Sequence, residues 1–393
     1  MSGPLSGVRV IDLSAVVSGP MAAGMLTDQG AEVIKVEARG GDLTRRIGPA
    51  KGDLTPMFVT INRGKRSIVL DLKQDSARQV LHQLIAGADV LIENFRPGAM
   101  ARLGFGYEAV SAWHPGLVYL SISGFGDSGP LAGARVYDPV IQAVSGLAAA
   151  HPDPATGEPR LLQTLVCDKL TSLTAAQAVT AALFERSRTG RGQQVKLSML
   201  DAALAFSWPE AMFNHSWLDD APPPILEFGA NQRLWRAQDG WFAMITPQDE
   251  EFAAMARVFG LPGLLSDPRF ATILSRRDHQ PELRALLEPV AAQQPVTPFV
   301  ARLIAAGVPA GRVNLKPTLH EDEQVRHNAS LLELDHGAQG RVRSAGPAAR
   351  FGNHGPAAPA AAPHLGQHSR EVLAGLGLEA EAISALFASG AVS

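Results

Sequence analysis

Asp168 is the first residue whose type and setting could carry chemistry. It follows the apolar Leu165, Val166 and Cys167 and heads a long stretch rich in Ala, Thr and Leu. Aspartate at such a place has two readings. It is a favoured N-cap, because its oxygens accept the free amides of a first helical turn. A carboxylate held ionised by helix N-terminal amides can also act as a nucleophile toward an activated acyl group. Spacing leaves both open. Cys167 has no histidine nearby to activate it, and a cysteine flanked by apolar residues reads as a small core side chain. The eleven histidines include no H-E-x-x-H pair, and a single cysteine allows no Cys-x-x-Cys, so no metal site is expected.

A second set of residues suits an anion. Asn62-Arg-Gly-Lys-Arg66 precedes one expected strand, Lys73 follows it, and Asn94-Phe-Arg-Pro-Gly98 follows another. In an open parallel sheet, ligands bind beyond the carboxyl ends of the strands. Cations placed there can converge on a ligand with several phosphates, although solvated lysines and arginines are common on any surface. The turn Ser18-Gly-Pro20 lacks the G-x-G-x-x-G spacing of a dinucleotide loop, so a nicotinamide cofactor is not expected.

The elements that must position these residues follow from periodicity. Val8–Leu13, Glu32–Glu37, Asp89–Ile92, Leu117–Ile122 and Gln193–Ser198 read as strands, with a helix over Pro20–Asp28 ended by Gly30. Asp75 can cap a helix whose apolar positions Ala77, Val80, Leu81, Leu84, Ile85 and Ala88 keep the i, i+3, i+4 spacing. A long helix is expected over 168–186. This alternation predicts an α/β fold, a Rossmann-like large domain with a parallel sheet wrapped by helices. From about 225 the texture changes to a hairpin around Asp239-Gly240 and helices near 249–259, 281–291 and 297–306, a smaller α+β domain. The expected division sets a large domain over 1–220 against a small one over 225–320. Residues 346–363, rich in Pro and Ala, read as an extended connection, with two short helical patterns after it.

Composition bounds the function. The 393 residues carry 46% hydrophobic and 19% charged side chains, enough for a large core and too apolar for disorder. A formal net charge of −3 gives no global attraction to nucleic acid or an anionic membrane, so neither is an expected partner. No apolar run approaches the ~20 residues that span a bilayer. One cysteine permits no internal disulfide, and Met1 to Gly7 has no signal-peptide pattern, so a cytoplasmic protein is expected.

Taken in order, the motifs resemble the class III CoA-transferases, the family of formyl-CoA and carnitine CoA-transferases and of α-methylacyl-CoA racemase. The resemblance rests on Pro4-Leu-Ser-Gly-Val-Arg-Val-Ile-Asp-Leu13, Gly30-Ala-Glu-Val-Ile-Lys-Val-Glu37 and Asn62-Arg-Gly-Lys-Arg-Ser67. It continues through Glu93-Asn-Phe-Arg-Pro-Gly98, Ser121-Ile-Ser-Gly-Phe-Gly126 and Arg188-Thr-Gly-Arg-Gly-Gln193, and ends on Leu365-Gly-Gln-His368. It implies that Asp168 is the catalytic carboxylate. Leu70 to Lys73, Asn94, Phe95 and Arg96 would hold the CoA nucleotide, with Arg102, Arg135 and Tyr137 near it. It implies a large domain completed by the C-terminal segment 325–393, an interlocked homodimer, no tightly bound cofactor, and CoA thioesters and carboxylic acids as substrates.

The implied reaction moves CoA from an acyl-CoA donor to an acid through an aspartyl anhydride and an aspartyl-CoA thioester, with succinyl-CoA or acetyl-CoA as donor and a small di- or hydroxycarboxylate as acceptor. The chain departs from the family at two places. Tyr137 stands before Asp138 where the racemases have histidine, leaving the acid and base for an α-proton incomplete. Phe228-Gly-Ala-Asn231 has no glycine run where formyl-CoA transferase has a shielding loop. A racemase or isomerase, or an acyl-CoA-binding protein without turnover, are the alternatives.

Overall fold

The computed structural model describes residues 3–153, 155–230, 232–354 and 360–393. Asn231 of the shielding-loop segment, Met1 and Ser2 of the N-terminus, and 355–359 of the Pro/Ala-rich connection lie outside the described residues. The chain divides into two compact units, Met1–Ser216 with Ala329–Ser393, and Trp217–Asn328.

The first unit is built on six strands: β1 (Arg9–Asp12), β2 (Glu32–Glu37), β3 (Arg66–Val69), β4 (Val90–Glu93), β5 (Val118–Ser123) and β6 (Gln194–Ser198). Their order is β3-β2-β1-β4-β5-β6. Every pairing is parallel. The helices are α1 (Ser18–Asp28), α2 (Pro56–Asn62), α3 (Asp75–Ala86), α4 (Ala99–Arg102), α5 (Tyr107–Trp113), α6 (Asp138–Val144), α7 (Val166–Thr189) and α8 (Met199–Ala211).

Near-continuous runs such as Val90-Leu-Ile92 make strands buried on both faces, as a parallel sheet requires. Alternate residues therefore serve different layers. Val10, Val33, Val90, Ile92, Val118 and Leu120 pack with Ala22, Ala23 and Leu26 of α1 and Ala175, Ala176 and Val179 of α7. Ile11, Ile34, Ile68 and Leu91 pack on the other face with Ala77, Val80, Leu81, Leu84 and Ile85, the periodic positions of α3. Small residues on α1 and α7 let the two helices approach closely, which matters for the site they share.

The C-terminal segment closes the β3 edge. The backbone N–H groups of Gly366 and His368 donate to the hydroxyl and carbonyl oxygens of Ser67 (3.0 Å each), and Ser67 N–H donates to His368 Nδ1 (3.2 Å). Gly366 holds φ +69°, and a Cβ there would lie 2.6 Å from the carbonyl oxygen of Ser393, so the turn demands glycine. The helices Ser369–Gly375 and Ala380–Ala388 then pack Val372, Leu373 and Ile383 into the core below the sheet.

The second unit holds an antiparallel sheet of β7 (Trp235–Arg236), β8 (Trp241–Met244) and β9 (Ala310–Arg312), with α9 (Asp249–Val258), α10 (Ile273–Asp278), α11 (Gln280–Ala291) and α12 (Val296–Ala305). Phe242, Phe252, Phe259 and Phe299 fill its core.

Several expectations shift in detail. Helix α1 starts at Ser18, two residues before Pro20, because none of the first four helical amides needs an intrahelical acceptor. Asp75 is the first residue of α3, and Gln74 takes the cap position without a side-chain bond. Helix α8 escaped periodicity because it is apolar around its circumference.

Candidate active site

The strand order reverses direction between β1 and β4, which makes the crevice beyond their carboxyl ends the expected ligand site of such a sheet. The loop Leu13–Val17 leaves β1 there and is held from several sides. Asn94, just past β4, clamps it twice: Asn94 Oδ1 accepts the Ala15 N–H and Asn94 Nδ2 donates to the Ala15 carbonyl oxygen, both at 2.8 Å. Val16 sits at φ +70°, a strained conformation for a β-branched residue. Its N–H donates to the Asp42 carboxylate (3.2 Å).

Beneath the loop lies a buried ionic cluster. Lys35 Nζ donates to the Ser14 carbonyl oxygen (3.0 Å) and pairs with Asp42 (3.0 Å). Lys65 Nζ donates to Asp12 Oδ2, the Pro20 carbonyl oxygen and Asn62 Oδ1, each at 2.8 Å. Asp12 also accepts the Ser14 N–H (3.0 Å) and the Ser14 hydroxyl. Burial, joined by the Lys35 charge and opposed by Asp12, lowers the Lys65 ammonium to about 8. Burial also works against Lys35, but the carboxylates of Asp12, Asp42 and Glu37 outweigh it and raise its pKa. A Cβ on Gly19 would lie 2.3 Å from the Ser14 side chain, so only glycine lets α1 begin here.

This framework fixes Ser18, the first residue of α1 and 4% exposed. It stands beside Asp168 and favours the ionised form of that carboxyl. Asp168 is 7% exposed and is the third residue of α7, not its cap, which is Leu165. Its own N–H donates to Asp138 Oδ2 (3.0 Å). Asp138 opens α6 and is fully buried, with Gln142 Nε2 on its other oxygen (2.6 Å). Gln142 in turn accepts the Leu162 N–H (2.8 Å), which ties α6 to the segment leading into α7.

The electrostatics differ from those expected of a capping aspartate. Burial, and then the Asp138 charge, raise the Asp168 carboxyl to about 6, while neighbouring Ser18 acts in the opposite direction. The residue that favours its charge belongs to α1 instead of to α7 itself. Cys167 is fully buried, and burial with the neighbouring Asp138 and Asp168 charges pushes its thiol to about 12, which fits a core residue.

The remaining candidates are spread around the crevice. Leu70 is buried in the core at the end of β3, and Lys73 beyond it is exposed. Phe95 and Arg96 line a cavity of about 610 Å³ with Tyr107, Ser123 and Lys196. Arg102 closes α4, exposed, and Arg135 and Tyr137 stand exposed just before Asp138. The fold thus joins Asn94 and Asp168 through one loop and puts Tyr137 next to the residue that touches Asp168. No contact among the described residues ties Lys73, Arg102 or Arg135 to Asp168.

Sequence reasoning passed over Ser18, read only as part of a glycine turn, and over Asp138 and Gln142. An Asp and a Gln at i and i+4 on one helical face were the available signal for the latter pair. Among the described residues no group of three or more His, Cys, Asp or Glu could hold a metal ion.

Comparisons with known proteins follow the same lines. Residues 5–369 match the family model described as CoA-transferase family III. The chain is 40% identical over 313 residues to an acetyl-CoA:oxalate CoA-transferase of Acetobacter aceti, covering 79% of this chain and 80% of that protein. It is 31% identical over 394 residues to the succinyl-CoA:glutarate CoA-transferase of Mus musculus, covering 99% and 90%. The crystal structure of a CAIB/BAIF family protein from Brucella suis superposes with a TM-score of 0.84 at 32% identity, covering 96% of this chain and 100% of that one. With its parallel sheet, its motifs and its length all matched, this chain belongs to CoA-transferase family III, the class III CoA-transferases.

Proposed function

We propose that the chain transfers CoA from a short acyl-CoA to a small dicarboxylic acid, with Asp168 as the nucleophile. The observation that carries this reading is one buried carboxylate of raised basicity, beside Ser18 at the β1–β4 crevice of a class III CoA-transferase fold. Asp168 attacks the thioester carbon and the sulfur leaves as CoA thiolate, giving an aspartyl–acyl anhydride. The thiolate then attacks the aspartyl carbon, the donor acid departs, and an aspartyl-CoA thioester remains. The acceptor carboxylate takes CoA by the same two steps in reverse. Oxalate and glutarate in the names of the relatives support a small diacid as acceptor.

CoA is held, in this reading, by Lys73, Arg96, Arg102 and Arg135 as exposed cations for its phosphates and by Phe95 and Tyr137 as exposed aromatic surfaces. Leu70 and Asn94 contribute through backbone shape, since the Leu70 side chain lies in the core and the Asn94 amide is spent on Ala15. The homodimer is part of the proposal. Leu173 and Phe184 of α7 and Phe206 and Trp208 of α8 leave large apolar side chains about half exposed or more, a surface that suits a second copy.

The test is a screen with acetyl-CoA, succinyl-CoA and formyl-CoA as donors and oxalate, glutarate and related acids as acceptors, with new thioesters read by mass spectrometry. A new thioester names the substrates. Deuterium entering the α-carbon of the donor without any new thioester would instead favour an isomerase. The pH profile gives a second check. Only the ionised carboxylate attacks, so kcat should fall as pH drops through about 6 and be about tenfold lower one unit below that point. A rate unchanged down to pH 5 contradicts Asp168 as the attacking group.

A further inference from the structure

We propose that the C-terminal segment 363–368 is a positioning element for the reaction: through Arg45, Ser67, Glu37 and Asp42 it holds Val16 in the strained conformation that shapes the crevice loop. The effect on turnover rests on the transfer reading; the positioning does not. At φ +70° Val16 sits where a β-branched residue seldom goes, and such a conformation persists only when its surroundings impose it. Its loop leads from β1 into α1, which packs against α7, the helix of Asp168. Asp42 is the group at the strained residue. Both of its carboxylate oxygens accept the Val16 N–H, at 3.3 and 3.2 Å. The Thr44 N–H and hydroxyl donate to Asp42 Oδ1 (2.9 and 2.7 Å), and Asp42 Oδ2 pairs with Lys35 (3.0 Å).

The Asp42 N–H donates to Glu37 Oε2 (2.9 Å), and Glu37 is the junction with the C-terminal segment. Arg45 grips Glu37 with two parallel bonds, Nε to Oε2 (2.8 Å) and Nη2 to Oε1 (2.7 Å), a geometry that fixes orientation as well as distance. The Ser67 hydroxyl donates to Glu37 Oε1 (3.0 Å). The segment holds both of these partners. Arg45 Nη1 donates to the Pro363 carbonyl oxygen (3.2 Å), and the Gly366 N–H donates to Ser67 Oγ (3.0 Å). Asp53 completes the latch: its Oδ2 accepts the Leu365 N–H (2.7 Å) and Arg45 Nη1 (2.8 Å), and its Oδ1 meets His364 Nδ1 (2.6 Å). Glu37, Asp42 and Arg45 are each 5% exposed or less, so none can exchange a lost partner for water. Where the segment holds Arg45 and Ser67 thus decides where Asp42 stands, and Asp42 decides whether Val16 stays strained.

The test combines Asp53→Asn and Ser67→Ala with Val16→Gly, since glycine takes a positive φ without strain. Asparagine has one acceptor oxygen where the latch uses two, and Asp53 is 33% exposed, so the core is left intact. Hydrogen exchange of a peptide covering residues 13–18, read by mass spectrometry, reports the loop. Exchange there should be about tenfold faster in each latch variant, with the β4 and β5 peptides unchanged. Turnover with acetyl-CoA and oxalate or succinyl-CoA and glutarate should fall about tenfold in kcat with little change in KM. In the Val16→Gly background the same latch substitutions should cost less than twofold, because no strain remains to be held. Loop exchange and kcat unchanged in both Asp53→Asn and Ser67→Ala overturn the proposal. So does a loss that persists in the Val16→Gly background, or faster exchange throughout the sheet, either of which marks a plain loss of stability. A wild type that transfers no CoA overturns the transfer reading instead, and loop exchange still decides the latch.

Discussion

Asp168→Asn should abolish CoA transfer and, at neutral pH, leave a more stable protein. The loss of activity follows from the covalent relay: an amide neither attacks the thioester nor accepts CoA, and losing a nucleophile that acts with its neighbours as a unit costs on the order of 10⁴-fold or more. The stability gain follows from the direction of the Asp168 shift. Its carboxyl titrates at about 6 in the fold, against 3.8 for an ordinary aspartate, because burial and Asp138 oppose its charge. The folded state thus resists ionisation that the unfolded chain accepts. That cost is absent below about pH 4 and complete above about pH 6, where it amounts to roughly 1–3 kcal/mol. Asparagine keeps the shape of the side chain and carries no charge to bury. Thermal melts should place the variant several degrees above wild type at pH 7 and level with it near pH 4. Retained turnover in Asp168→Asn would sink the assignment, whatever the melts show.

Lys65→Met should destabilise the first unit more than any exposed substitution, by roughly 3–5 kcal/mol. Lys65 is 2% exposed and its ammonium meets three oxygens at 2.8 Å. Methionine fills similar volume but strands the Asn62 side-chain oxygen, the Pro20 carbonyl oxygen and one oxygen of Asp12, whose remaining cation, Lys35, lies 4.0 Å away. Its own lowered pKa, about 8, says that burial is hard on the charge. Removing one member of a buried ion cluster is nevertheless worse than never having built it, since the partner is left buried and charged. The melting temperature should fall by many degrees. Transfer should fall with it even at temperatures where the variant is folded, because the Pro20 carbonyl anchors the turn that carries Ser18. A shift of only a degree or two would mean that Asp12 and Lys35 re-pair without cost.

The strands and the main helix faces could be read directly from the chain. Glu32–Glu37 forms β2 at the expected bounds, and the i, i+3, i+4 positions of α3 are the ones buried against the sheet. Local patterns carry this information because burial on one or both faces dictates which residues are apolar within a few positions. Asp168 was also legible as a candidate, by residue type and by its place at the head of a long helix. Its environment was not. Ser18 lies 150 positions earlier, and Asp138 thirty, so neither relation leaves a local trace.

Only the order β3-β2-β1-β4-β5-β6, with α1 and α7 side by side on one face, puts the start of α1 against the first turn of α7. That contact puts Ser18 beside Asp168, whose carboxyl is buried there. The same holds for Leu365-Gly-Gln-His368, which has no meaning in its own segment and acquires one by bonding to Ser67 about three hundred residues upstream. Residue types set which segments become strands and helices. Which ends of those segments meet depends on strand order, and apolar strands of similar length are nearly interchangeable in the local pattern they present.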